Sequence, residues 1–204
     1  MIVDFVVEIL SNWHVGTGAE RLDGPDPTDA ELLSWPVRVA EDPVPVVPAS
    51  SLKGLALDHA HLVASTFGLG DEMVEQIFGS PGRQASWYFS SARPLPSEDP
   101  PECRVRRYNR VSPATGRVEE DDLFDFEVAS PARLATRARS QQPDPPAVET
   151  ALVVASFAAV ERLGARRRRG WGHCRIRAVG SGGEDMTPGF VAPLLGLAKG
   201  VGQP

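Results

Sequence analysis

Four consecutive arginines, Arg166, Arg167, Arg168 and Arg169, stand between Gly164-Ala165 and Gly170-Trp171-Gly172. Forked guanidinium donors suit the oxygens of a phosphate, glycines let a backbone come close to a partner, and Trp171 offers a face on which a base can stack. The plainer reading is a solvated charge run at a helix C-terminus, where arginines complement the dipole. So dense a run repels itself unless an anion is near, which favours the phosphate. A second basic group, Arg104, Arg106, Tyr108 and Arg110, is spaced by two and falls on one face of a regular strand. It makes a stripe suited to a nucleic-acid backbone with one base stacked, or else it pairs with Glu119, Glu120, Asp121 and Asp122 across a turn. A third, Ser50-Ser51-Leu52-Lys53-Gly54, opens a helix, so that hydroxyls, free N–H groups and a lysine converge on a natural anion site. Capping alone explains the serines but not Lys53, because a cation near a helix N-terminus is unfavourable without an anion. Lys precedes Gly and the earlier glycine of a P-loop is absent.

Other chemistries find little support. His59 and His61, two apart on a helix, point away from each other, and neither has a HExxH or paired-cysteine context, so no metal site is expected. No GxSxG elbow is present. Cys103 and Cys174 have neither disulfide nor zinc spacing and suit a reducing cytoplasm. What remains is RNA chemistry through His14, or through a carboxylate with a divalent ion, with binding and no catalysis as the plainer expectation.

The elements that must position these groups follow from periodicity. Residues 2 to 10 alternate, Val3, Phe5, Val7 and Ile9 against Asp4 and Glu8, and predict a half-buried strand rather than a signal peptide. His14-Val15-Gly16-Thr17-Gly18 is a tight turn, and the Asp- and Pro-rich run from Glu20 to Leu33 reads as a mobile loop. Ser50 or Ser51 can cap a helix running to Gly68. A short helix, Asp71 to Phe78, ends at Gly79, and Trp87-Tyr88-Phe89 reads as a second strand. Arg104 to Val111 is one arm of a hairpin turning at Ser112-Pro113-Ala114-Thr115-Gly116. Leu123 to Val128 and Leu134 to Ala138 continue as strands. The Ala- and Leu-rich run from Ala147 to Leu163 predicts a buried helix stopped by Gly164, and Cys174, Ile176 and Ala178 alternate with Arg175 and Arg177 in a last strand. Strand, helix, strand, strand, helix, strand is the split βαβ order of an α+β fold.

The 204 residues suffice for one domain with insertions. Apolar and charged shares of 42% and 24% are globular, while 19 glycines and 19 prolines imply many loops. A net charge of −6 counts against a nucleic-acid partner, but its distribution does not. Acidic residues crowd 20 to 42 and 119 to 127, and arginines cluster at 104 to 110, 133 to 139 and 166 to 169, so a local basic track survives on an acidic protein. No apolar run approaches the roughly 20 residues of a membrane helix.

His14-Val15-Gly16-Thr17-Gly18 after an N-terminal strand, Pro48-Ala49-Ser50-Ser51-Leu52-Lys53-Gly54, and Leu163-Gly164 through Gly172 together resemble the RAMP superfamily of CRISPR-associated proteins, above all the backbone subunits of type III (Csm/Cmr-like) effector complexes. Leu123-Phe124-Asp125-Phe126-Glu127-Val128 resembles the strand after their thumb hairpin. The resemblance spans residues 2 to about 179. It implies a ferredoxin-like (RRM-like) βαββαβ core over residues 1–180, interrupted by a loop at 17–47 and a thumb at about 94–130, with a tail at 181–204. It further implies a cytoplasmic, non-membrane subunit that binds guide RNA and target RNA beside other effector subunits and copies of itself, and that needs no cofactor for binding. On this likeness His14, Ser50, Ser51, Lys53, Arg166 to Arg169 and Trp171 belong near the guide, and Arg104, Arg106, Tyr108 and Arg110 on the thumb. The apolar stretch Phe190 to Leu197 is a candidate for docking on a neighbouring subunit.

Some such subunits cut target RNA with a loop aspartate just ahead of a Pro-Val or Pro-Ile pair. Here Ser34-Trp35 precede Pro36-Val37, so the aspartate is not where that pattern puts it, and Asp23, Asp26 and Asp29 are the candidates to replace it, with magnesium or manganese. A guide-processing endoribonuclease using His14 with Lys53, and a protein-only scaffold, are the alternatives.

Overall fold

The computed structural model describes residues 1–16, 21–22, 33–35, 44–111, 114–115 and 118–200. The alternating N-terminal segment forms β1 (Ile2–Ile9), whose Val3, Phe5, Val7 and Ile9 are all within 2% of full burial. β1 lies between two antiparallel partners. On one side is β8 (Ala132–Ser140), with Val3 opposite Ala138 and Val7 opposite Leu134; on the other is β9 (Cys174–Val179), with Phe5 opposite Ala178 and Ile9 opposite Cys174. The short β4 (Trp87–Phe89) and β5 (Arg93–Pro94) both pair with β8, and the main order is β4-β8-β1-β9. Numbered along the core alone, this is the 4-1-3-2 order of the ferredoxin-like fold.

Two helices cover the buried side of this sheet. α1 (Ala49–Thr66) buries Leu52, Ala56, Ala60 and Ala64, an i, i+4 stripe whose small residues let α3 (Ala147–Ala158) lie close against it. Phe157 of α3 stacks on Phe5 at 4.9 Å and on Phe89 at 5.4 Å, and Phe89 stacks in turn on Phe78 of α2 (Asp71–Phe78). The core is thus continuous from the sheet into both helical layers. None of the described helices is long and apolar enough to cross a membrane, and both cysteines are free thiols.

A second sheet carries the hairpin. β6 (Cys103–Val111) and β7 (Val118–Ala129) pair antiparallel, with Arg104 opposite Val128, Arg106 opposite Phe126 and Tyr108 opposite Phe124, and an irregularity between Asn109 and Val111. β3 (Leu33–Trp35) joins parallel to β7, and β2 (Arg21–Leu22) pairs with β3. The Asp- and Pro-rich segment read as a loop therefore contributes two short strands, because β7 offers a free edge that its own sequence does not reveal.

Two further readings are corrected. α1 starts at Ala49 with Pro48 as its N-cap, so Ser50 and Ser51 sit inside the first turn, and the Ala49 N–H is taken by the Ser91 hydroxyl at 3.2 Å. α3 ends at Ala158, five residues before Leu163. Glu161 O accepts the Cys174 N–H and Leu163 N–H donates to Gly172 O, both at 2.8 Å, and these bonds draw residues 160 to 163 out of the helix. The tail forms α4 (Thr187–Gly200), which packs on α3 of its own chain, with Phe190 and Val191 against the core.

One buried carboxylate holds the layers in register. Glu149, in the first turn of α3 and 2% exposed, accepts from Trp87 Nε1 at 2.6 Å, Ser86 Oγ at 3.1 Å and Gln76 Nε2 at 3.4 Å. It joins β4, α2 and α3 through donors that would otherwise be stranded, and sits where the helix dipole favours negative charge. Glu149→Ala is expected to lower unfolding stability by about 2–4 kcal/mol in chemical denaturation, against about 1 kcal/mol for Ser86→Ala, because only the first strands the Trp87 N–H in the core.

Candidate nucleic-acid interface

The segment after β1 and the arginine loop are bonded to each other along their length. Leu10 N–H donates to His173 O at 2.7 Å, His173 N–H to Ser11 Oγ at 2.9 Å, and Gly172 N–H to Asn12 O and Ala165 N–H to His14 O, both at 2.8 Å. Gly164 and Gly172 are what permit this. Both have positive φ, 75° and 65°, and a Cβ at Gly164 would lie 2.3 Å from the His14 carbonyl oxygen, while one at Gly172 would lie 1.8 Å from that of Leu163. The close backbone approach that the glycines signalled is made to the protein's own chain.

The base of the hairpin is tied to the same segment. Trp13 and Ala129 exchange backbone hydrogen bonds at 2.9 and 3.0 Å, and the fully buried Trp13 indole donates to Ser130 O at 2.8 Å. His14, 3% exposed, puts Nδ1 2.7 Å from the Glu127 carbonyl oxygen. A carbonyl only accepts, so this nitrogen carries the proton. The ring meets Phe126 edge-on at 5.2 Å.

Above His14 lies a cluster of three rings and one cation. Tyr108, Phe126 and Trp171 contact one another in edge-to-face fashion at 5.7 to 6.3 Å. The Arg166 guanidinium carbon sits 4.2 Å from the Tyr108 ring centre, 4.3 Å from that of Phe126 and 5.6 Å from that of Trp171. Each such contact contributes about 0.5–2 kcal/mol. Arg166 takes a left-handed conformation, φ 55°, to reach them. Burial, then the nearby Arg169, lowers its pKa from the usual guanidinium value.

Arg166 thus splits from its neighbours. Arg167, Arg168 and Arg169 form a 3-10 turn with exposed side chains, and among the described residues none has a carboxylate partner. Arg104 and Arg106 line a cleft of about 150 Å³ at the hairpin base with Asn12, Glu102, Val128 and Ser130. Arg104 pairs with Glu102 at 2.6 Å, and Arg106 has no carboxylate partner among the described residues. The Arg110 side chain, those of Glu119 to Asp122, and all of Asp23, Asp26 and Asp29 lie outside the described residues.

The structure therefore brings His14, Tyr108, Arg166 and Trp171 together and sets Arg106 and Arg167 to Arg169 at the margin. Ser50, Ser51 and Lys53 stand apart, at the start of α1, with no hydrogen bond or ring contact to this cluster among the described residues. Sequence reasoning missed Trp13, Phe126 as the ring beneath Arg166, and Arg107, which reaches the buried Asp125 through Nε at 3.2 Å and Nη2 at 3.4 Å. The alternation along β6 puts Arg107 on the face opposite the arginine stripe, which was the available signal.

The RAMP superfamily sequence pattern matches residues 6–175. No curated protein sequence matches the chain. Among solved structures, similar folds include a chain of a type III-B Cmr-beta complex bound to cognate target RNA, with 12% identity, TM-score 0.62, and coverage of 87% of this chain and 97% of that one. A chain of a type IV-B CRISPR complex has 16% identity, TM-score 0.62, and coverage of 89% and 91%. The apo Cmr-beta state gives 12%, 0.62, 89% and 98%.

Two outcomes test this geometry. Gly164→Ala is expected to cost more than about 3 kcal/mol, and Gly170→Ala, with similar φ but open space around it, about 1–2 kcal/mol, in parallel denaturant titrations. Burial lowers the pKa of His14 below 6.5, partly offset by the Glu127 carbonyl and carboxylate and reinforced by Arg166. An unfolded histidine takes its proton first as pH falls, so folding loses stability from about pH 6.5 down towards the lower folded value and keeps it above. The melting temperature should fall between about pH 7 and 5, and less steeply in His14→Gln.

Proposed function

The chain belongs to the RAMP superfamily, and we propose that it serves as a guide-RNA-binding backbone subunit of a cytoplasmic type III CRISPR effector complex, alongside target RNA, other effector subunits and further copies of itself. The observation that carries this reading is the division of labour in the arginine run. Arg166 is spent on the aromatic cluster, which fixes the loop to the hairpin base, and that anchoring leaves Arg167, Arg168 and Arg169 displayed on a pre-set turn with no carboxylate partner among the described residues. Holding like charges together costs energy that a phosphate backbone offsets. Arg106 on the adjoining hairpin extends the same track. The similar folds in the Cmr-beta and type IV-B complexes, over nearly the full length of both chains, support the assignment to such an assembly.

Trp171 and Tyr108 have part of their surface taken by Arg166 and by each other. In this reading they shape and stiffen the site, and any base stacks on what remains exposed. His14 is a strut: a buried ring with one nitrogen engaged on the Glu127 carbonyl is poorly placed to take a proton from a substrate hydroxyl. That weighs against the guide-processing alternative. Target cutting, with magnesium or manganese, would fall to Asp23, Asp26 and Asp29; alanine at all three should leave guide binding unchanged and remove any metal-dependent cleavage that this loop supports.

Replacing Arg167, Arg168 and Arg169 together with alanine is expected to weaken single-stranded RNA binding and to make the plot of log K against log salt shallower by about 2. Fluorescence anisotropy across a salt series reads both. Affinity and slope equal to those of the unaltered protein would exclude the loop as the phosphate contact.

A further inference from the structure

The arginines of residues 133 to 139 take no part in the loop and hairpin site. On the face of the first sheet turned away from α1 and α3, the alternation of β8 and β9 projects Arg133, Arg137, Arg139, Arg175 and Arg177, and Arg93 of β5 joins them opposite Ala135. Register sets the rows: Arg133 and Arg175 flank Glu8, Arg137 lies beside Asp4, and Arg139 lies between Ile2 and Tyr88. Some of this charge is answered within the fold, since Arg137 pairs with Asp4 at 2.7 Å, Arg133 with Glu98 at 2.7 Å and Arg177 with Glu8 at 3.7 Å. Arg93, Arg139 and Arg175 are exposed and have no carboxylate partner among the described residues. An acidic protein thus carries, on one sheet face, three guanidinium groups that no described carboxylate answers.

The same face carries an aromatic ring held out to solvent. Tyr88, on the edge strand, is 52% exposed, and its hydroxyl is bonded by the side-chain amides of Gln84 and Gln141, each at 3.0 Å. Two amides on one hydroxyl fix a ring that is half exposed, so little side-chain entropy is lost when a flat partner lands on it. Four strands at about 4.8 Å spacing make a platform roughly 14 Å across, with unpaired cations towards both edges. Unpaired guanidinium groups beside a pinned exposed ring match a chain of phosphates bearing stackable bases.

We propose that this open face is a second contact surface for single-stranded nucleic acid, on which Tyr88 stacks a base while Arg93, Arg139 and Arg175 hold phosphates. It stands independently of the arginine loop. A peptide partner fits less well: it would have to be acidic to answer the guanidinium groups.

The test uses the full chain and fluorescein-labelled oligouridine RNA of about 30 nucleotides, longer than a single stacking site of about 4–16 nucleotides. Anisotropy titrations over a salt series compare the unaltered protein, the Arg93→Ala/Arg139→Ala/Arg175→Ala variant, Tyr88→Leu, Tyr88→Phe and the Arg167 to Arg169 alanine variant. The face variant should bind roughly 10- to 100-fold more weakly, with a salt slope shallower by about 2. Tyr88→Leu should lose about tenfold, and Tyr88→Phe, which keeps the ring but not the hydroxyl that the amides hold, should lose less. Unchanged affinity and slope in the face variant, with loss in the loop variant, would overturn this proposal and leave the loop reading intact; loss in the face variant alone would do the reverse. A face variant that binds RNA normally but sediments as a smaller species would make the surface a protein interface and overturn the proposal as well.

Discussion

The carbonyl oxygen of His14 lies where the chain returning from α3 must pass, and that passage admits no side chain. Gly164 crosses it, Ala165 bonds to it, and from this point the two segments run together to Leu10 and His173. Much of the site depends on that crossing. It sets the height at which Arg166 leaves the loop, and so its reach over the rings of Tyr108 and Phe126. It also holds His14 beneath Phe126, and through the Glu127 carbonyl it couples the arginine loop to β7. The hairpin, the loop and the end of β1 form one mechanical unit because two backbones meet at van der Waals limits.

Electrostatics then divides the arginines by what each can reach. A guanidinium is flat and less strongly hydrated than an ammonium, so Arg166 can lie over aromatic faces. Arg107 finds the buried Asp125 through two nitrogens, an ion pair screened less by water than those at the surface. Among the described residues, the exposed arginines without a carboxylate partner include three on the 3-10 turn and three on the open side of the ferredoxin-like sheet. The net charge of −6 conceals both, since it is an average over a surface whose charges are segregated.

The periodic elements were legible because their signal is local. Alternation in IVDFVVEI and the alternation of β9 each name a buried face within a few residues. The end of α3 was not legible. Val160 to Leu163 suits a helix by composition, and only the distant Gly172 to Cys174 backbone, offering partners, makes the extended form better. Of the loop glycines read as allowing close approach to a partner, Gly164 and Gly172 make one to the protein's own chain, and Gly170 has open space around it. Ser50 and Ser51 look like caps, yet Pro48 brings the chain to the helix start at a fixed φ of −60°, and a hydroxyl forty residues away serves Ala49 instead. Of the residues grouped as one RNA-contacting set, Tyr108, Arg166 and Trp171 were brought together beside His14, and Ser50, Ser51 and Lys53 at the start of α1 were not.

The position of β1 has a consequence for how the chain is made. Its first partner, β8, begins at residue 132 and its second, β9, at residue 174. At about 5–20 residues per second, the ribosome releases the most apolar strand of the sheet many seconds before either neighbour exists. During that interval IVDFVVEI has two unpaired edges and a free hydrophobic face, the profile of an aggregation-prone segment. Asp4 and Glu8, which in the finished sheet answer Arg137 and Arg177, are the charges that keep the nascent strand apart from its copies on neighbouring ribosomes. The same two carboxylates thus serve the newborn chain as guards and the folded one as cross-strand partners.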